Sequence, residues 1–164
     1  MKKTLTRAGF PALILALAPI LAACGPDSSE STTTETTGSE FAFGSPAEAA
    51  DADRVIEIET NDALRFEPAD ITVGPGETVT FRLTNDGSVV HDFTLGDQAT
   101  QDEHEAEMSE MNGMAHDEPN VATIPAGETA EFTGTFDGEG TVLIGCHQPG
   151  HYAAGMTGQI TVEG

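Results

Sequence analysis

"GCHQPGHYAAGMTGQITV", Gly145 to Val162, places Cys146, His151 and Met156 at equal five-residue steps. Glycines and one proline interrupt the stretch, and the run TGQITV then alternates small or polar with apolar residues. That pattern describes a tight loop feeding a final strand. Purely structural residues seldom gather as thiol, imidazole and thioether on one loop. The rest of the chain has to explain what uses them together.

Upstream, the same strand signature recurs. RVIEIET, Arg54 to Thr60, alternates, and DITV, Asp70 to Val73, is followed by the turn GPGE. TVTFRLTN (Thr78 to Asn85), SVVHDFTL (Ser88 to Leu95) and TVLIGC (Thr141 to Cys146) are further short runs. VATIPAGETAEFTGTF, Val121 to Phe136, holds two runs about a Pro-Ala-Gly turn. Short alternating runs with β-branched residues and regularly spaced turns predict an all-β sandwich or barrel. One helix is expected, within TQDEHEAEMSEMNGMAH, Thr100 to His116. It belongs to an insert of about 97–120 that interrupts two strands.

Composition narrows the function classes. The chain has 164 residues, 38% of them hydrophobic, enough for one ordinary domain. It carries 28 acidic against 6 basic residues, a formal charge of −22. Such a surface repels phosphate, so nucleic acid and anionic lipid are excluded as electrostatic partners. A monomer that repels its own copies is expected.

The N-terminus reads as an address. Lys2, Lys3 and Arg7 precede the apolar run PALILALAPILAAC, which ends in LAAC, Leu21 to Cys24. The run is too short for a spanning helix and fits a signal peptide of residues 1–23. Small residues before a Cys resemble a bacterial lipobox, which makes Cys24 the expected lipid attachment site. The protein is then exported and membrane-anchored, facing the periplasm or cell exterior. Ser/Thr/Glu-rich sequence follows, expected to form a disordered tether over residues 24–53, with the folded domain at 54–164. With Cys24 lipidated, Cys146 has no disulfide partner. A lone thiol outside the cytoplasm is an oxidation hazard unless a metal occupies it.

Cys146, His151 and Met156 supply three ligands, and a trigonal His₂Cys site with a weak axial Met is the blue-copper electron-transfer arrangement. A second His must come from elsewhere: His91, His104, His116 or His147. His147 follows Cys146 directly and would point away from a metal held by that thiolate. His104 and His116 lie in the polar insert. His91 sits at the end of a strand run and is the expected fourth ligand.

At this point the chain resembles the cupredoxins, small blue copper proteins such as plastocyanin, azurin, auracyanin and rusticyanin. The resemblance covers roughly Arg54 to Gly164. It rests on FEPADITVGPGETVTFRLTN, VVHDF and CHQPGHYAAGMTGQITV. The Cys-to-His spacing is more like auracyanin and rusticyanin than plastocyanin. The family implies a Greek-key β-sandwich with one type 1 copper at one end, cycling between Cu(I) and Cu(II). It also implies that redox partners dock near the loop histidine, His151. In two respects the chain departs from its better-known members. Asp92 follows the upstream His where plastocyanin and azurin usually have Asn, which ties their ligand loops together. Plastocyanin also lacks the acidic, Met- and His-rich insert.

Other chemistries fit less well. A Cys/His hydrolase would leave Met156 idle and has no identifiable orienting acid or amide. Zinc seldom recruits Met. A multicopper enzyme would need further His clusters, including a His before the Cys where this chain has Gly145. Two functions remain, neither enzymatic. One is an electron carrier between extracytoplasmic redox partners. The other is a copper-binding lipoprotein for delivery, storage or resistance. The second is motivated by the insert, where His104, Met108, Met111, Met114 and His116 are candidate ligands for an additional Cu(I). Packing of the methionines as an apolar face is the plainer reading of the same residues.

Overall fold

The computed structural model describes residues 41–114 and 118–164. The expected signal peptide, Cys24 and the expected tether up to Glu40 lie outside the described residues, as does His116. Ten strands and one α-helix run in the order β1 (Gly44–Pro46), β2 (Arg54–Asn61), β3 (Arg65–Glu67), β4 (Asp70–Val73), β5 (Glu77–Asn85), β6 (His91–Gly96), α1 (Gln98–Glu110), β7 (Val121–Ile124), β8 (Thr129–Phe136), β9 (Gly140–Gly145) and β10 (Thr157–Val162). They form two five-stranded sheets, ordered β1-β8-β5-β2-β3 and β4-β10-β9-β6-β7. The pairs β2–β5 and β4–β10 are parallel and the rest antiparallel. The expected all-β sandwich is present, with one short helix inserted between β6 and β7.

Alternation along the strands sends one set of side chains between the sheets. Val79, Phe81 and Leu83 of β5 meet Phe93 and Leu95 of β6, all fully buried. The Phe81 ring lies 5.5 Å from Phe93 and stands edge-on to Phe136 at 6.0 Å. Burying each such side chain stabilises the fold by about 1.5–3 kcal/mol. This core fixes β6 and β9 as neighbours, with Thr94 opposite Gly145.

The ordered domain starts earlier than the expected Arg54. Phe43 is buried in the core, stacked between Phe41 and Phe136 at 4.9 and 5.6 Å. It draws β1 onto the edge of β8, Ser45 opposite Thr135. Residues 41–53 therefore belong to the sandwich rather than to a tether.

Helix α1 begins where Asp97 caps it: Oδ1 accepts from the Thr100 amide at 2.9 Å and from its hydroxyl at 2.9 Å. It ends at Glu110, within the expected stretch, because Asn112 and Gly113 turn into left-handed backbone at φ 54° and 76°. A side chain at Gly113 would strike Pro149 Cδ at 2.7 Å, so the helix end abuts the loop that carries Cys146, His151 and Met156. The buried face of α1 is Gln101, His104 and Met108, mainly polar. It covers the outer side of β6, which is why that strand is buried on both faces. Among the described residues, no helix is long and apolar enough to cross a membrane.

Candidate metal centre

The last hairpin, β9 to β10, is joined by residues 146–156, and its ends are clasped by the Cys146 amide donating to the Met156 carbonyl at 3.1 Å. Within the loop, His151 N–H donates to Gln148 O at 2.9 Å and Met156 N–H to His151 O at 3.1 Å. Gly150 and Gly155 take φ of 83° and 90°, which L side chains adopt only with strain. The backbone thus folds the loop back on itself.

His91 opens β6, beside the strand end that carries Cys146. Its approach is fixed by Asn85, whose amide nitrogen donates to Val89 O at 2.8 Å and Ile124 O at 3.1 Å. Cys146 Sγ lies 3.3 Å from His151 Nδ1 and 3.9 Å from His91 Nδ1, and the two nitrogens are 3.3 Å apart. Three atoms bonded to one first-row metal at ~2.0–2.3 Å stand ~3.5–4.0 Å from one another in a trigonal plane. The observed triangle nearly has those dimensions. Cys146, His91 and Met156 are fully buried. Thiolate, two imidazoles and a thioether are donors acceptable to both Cu(I) and Cu(II), so the residues fit copper.

Burial sets the electrostatics of all three donors. Burial pushes the Cys146 thiol from 9.0 up to about 12, opposed by amides that favour the thiolate, including Asp92 N–H at 3.3 Å from Sγ. Burial also lowers His91, helped by the neighbouring His151, and burial lowers His151. Both imidazoles are biased towards the neutral, ligating form.

Around the triangle lie residues that sequence reasoning did not assign. Gln148 Nε2 donates to both oxygens of the buried Asp92 carboxylate at 3.0 Å each. The tie between β6 and the ligand loop is therefore present with its polarity reversed, the donor on the loop. His147 points away from the triangle, as its place beside Cys146 suggests. Its Nδ1 meets Glu105 Oε2 and its Nε2 meets Gln101 Oε1, each at 2.7 Å. Gln101 Nε2 donates to Thr94 O and Leu143 O at 3.1 and 3.2 Å, which leaves its oxygen facing His147 as an acceptor. Tyr152 stacks on His147 at 4.6 Å. Only knowledge of where α1 docks could have found this network.

Of the insert's candidate ligands, His104 and Met108 are buried and Met114 is 66% exposed. Met111 is half-buried beyond the last helical turn. His104 is brought together with Glu107 and Glu118, their ligand atoms all within 4.8 Å of one another.

The copper-binding family of plastocyanin and azurin matches residues 52–163, and the chain belongs to that family. The copper-resistant cuproprotein CopI of Pseudomonas aeruginosa is 40% identical over 151 residues, covering 74% of this chain and 83% of that protein. The protein of the same name from Rubrivivax gelatinosus is 39% identical, covering 74% and 73%. Among solved structures, dithionite-reduced auracyanin from Roseiflexus castenholzii superposes with a TM-score of 0.60 at 25% identity, covering 69% of this chain and 99% of that one. The fold is that of the cupredoxins, and copper is the cofactor. His91, Cys146, His151 and Met156 are positioned as in a type 1 copper site.

Proposed function

We propose that the chain holds one type 1 copper through His91, Cys146, His151 and Met156 and passes single electrons through it. The carrying observation is the Sγ–Nδ1–Nδ1 triangle with edges of 3.3, 3.3 and 3.9 Å. Copper bound there supplies a one-electron couple. The protein's part is to keep the donors in one geometry for both oxidation states. The clasped loop, the Asn85 anchor and the Asp92–Gln148 tie do this, so little rearrangement accompanies electron transfer. Half-buried His151, with Pro149, Gly150, Ala153 and Ala154 exposed around it, is the proposed docking point for redox partners. Added Cu(II) should give an intense visible thiolate-to-copper band that Cys146→Ser abolishes. A Cys146→Ser protein that keeps the band would sink the assignment.

A second reading concerns the setting. The relatives called copper-resistant cuproproteins favour copper tolerance over service in a respiratory or photosynthetic chain. In this reading the same site works on copper outside the cytoplasm, reached through the signal peptide and held at the membrane by Cys24. A strain lacking the protein should grow poorly in copper and be rescued by the wild-type gene but not by Cys146→Ser. Normal copper tolerance with a defect in electron flow would reverse the preference. Recovery of wild-type protein with an unmodified N-terminus only in the soluble exported fraction would remove the lipid anchor.

A further inference from the structure

Helix α1 carries a second group of metal-ligating side chains, outside the copper triangle. His104 and Glu107 are three residues apart, hence on one face. Glu118 approaches from the chain returning to β7. That return is pinned next to it: Asn120 Nδ2 donates to Leu95 O at 2.8 Å, and Leu95 N–H to Asn120 O at 3.0 Å. His104 Nδ1 lies 3.2 Å from Glu118 Oε2, with the His104 side chain 3% exposed. A cavity of about 320 Å³ opens on the group, lined also by Glu103, Pro119 and Asn120. A buried imidazole thus faces two more exposed carboxylates across an opening.

A charged His104 paired with Glu118 would dock the helix without any metal. Glu107 and Glu103 stand at the same opening. From Asp97 to Asn120 the sequence contains eight acidic residues and no Lys or Arg, so the site's field attracts cations. We infer that His104, Glu107 and Glu118 form a second metal site, for a divalent cation with Cu(II) the tightest. One imidazole and two carboxylates suit Cu(II) or Zn(II) and disfavour Cu(I), and Cu(II) heads the affinity order for such donors. The three ligand atoms, within 4.8 Å of one another, come to bonding distances of ~2.0–2.2 Å by rotation of the two Glu side chains. The site uses no residue of the copper triangle. Its inner wall is nevertheless shared, since the His104 ring meets His147 edge-on at 5.1 Å and 82°, and His147 adjoins Cys146.

The test starts from protein already carrying one copper. A second equivalent of Cu(II) is titrated in and followed by electron paramagnetic resonance, with the visible charge-transfer band recorded in parallel. A new signal from nitrogen and oxygen ligation should grow while the visible band persists. Zn(II) should compete for it and Mg(II) at the same concentration should not. Glu107→Gln with Glu118→Gln preserves side-chain shape and removes the anionic ligands. Second-site affinity should fall about ten-fold or more, since loss of even an outer-shell partner costs ~10–100-fold. The visible band of the variant should be unchanged. Absence of a second bound equivalent overturns the inference. So does wild-type affinity in the double variant, which would assign the binding to the acidic surface at large. Because the visible band is read separately, failure of this site is distinguishable from failure of the type 1 assignment.

Discussion

Gln148 on the ligand loop grips the Asp92 carboxylate on β6 with one amide nitrogen, 3.0 Å from each oxygen. Both side chains are buried, at 5% and 1% exposure. The pair joins the strand that carries His91 to the loop that carries His151, so it acts on copper geometry without touching copper.

Gln148→Glu should set two buried carboxylates face to face. Opposing like charges there should destabilise the protein by about 3 kcal/mol at neutral pH, the scale of a broken buried charge contact. Asp92→Asn in the same chain restores an amide facing a carboxylate and should recover most of the loss. Thermal melts of the four proteins in the cycle check this. Equal melting points for Gln148→Glu with and without Asp92→Asn would mean the contact carries no coupling.

Copper uptake should release about one proton per metal at pH 7.5. The proton comes from Cys146, whose thiol burial holds up to about 12 and which ligates as thiolate. The histidines add none there, since both are lowered from an ordinary 6.5. Proton release in weakly buffered solution measures the number directly, and a value near zero would contradict a thiolate ligand.

The copper-free protein should be most stable between the two titrations. His91 and His151 are lowered in the fold, so the stability they contribute is present above pH 6.5 and is lost as pH falls through their folded values. Cys146 is raised, so its contribution is full below pH 9.0 and disappears as pH climbs towards about 12. Denaturant midpoints across pH should fall on both flanks. Copper should steepen the acid flank, because the bound imidazoles and thiolate carry no protons in the fold while the unfolded chain takes them up.

Gly145→Ala tests the seam between loop and helix. An added Cβ would lie 2.3 Å from Gln101 Oε1, 2.8 Å from His147 Nε2 and 2.9 Å from Tyr152 Cε2. None of the three can move freely, because Gln101 holds Thr94 and Leu143, His147 holds Glu105, and Tyr152 is stacked on His147. A loss of about 1–3 kcal/mol is expected from such overpacking. Faster amide exchange in α1 would locate the damage, and wild-type stability would show that the seam yields.

Strands with several alternating positions were legible from sequence, as were the loop and strand that bring His91 to Cys146 and His151. The runs that escaped were β1 and β3, three residues each, with Gly and Pro in one and a single Phe in the other. Periodicity has nothing to act on at that length. Phe41 and Phe43 were visible as apolar, but only the groove beside Phe136 decides that they dock. The insert misleads for another reason. Its helix buries Gln101 and His104 because the surface beneath offers carbonyls and an imidazole, so an apolar stripe is not what specifies its inner face. Asp92 looked like a lost tie for the same reason, since its partner Gln148 lies 56 residues away in sequence.

The stacking of Tyr152 on His147 has a spectroscopic consequence. Tyr152 is the single tyrosine of a chain without tryptophan, so essentially all intrinsic ultraviolet emission originates one residue from His151. Fluorescence from this protein is a local probe of the ligand loop and of its seat on α1, not a measure of the whole sandwich. Metal arrival should quench it, and an unfolding curve recorded through it will report the release of that seat even where the β-sheets still hold.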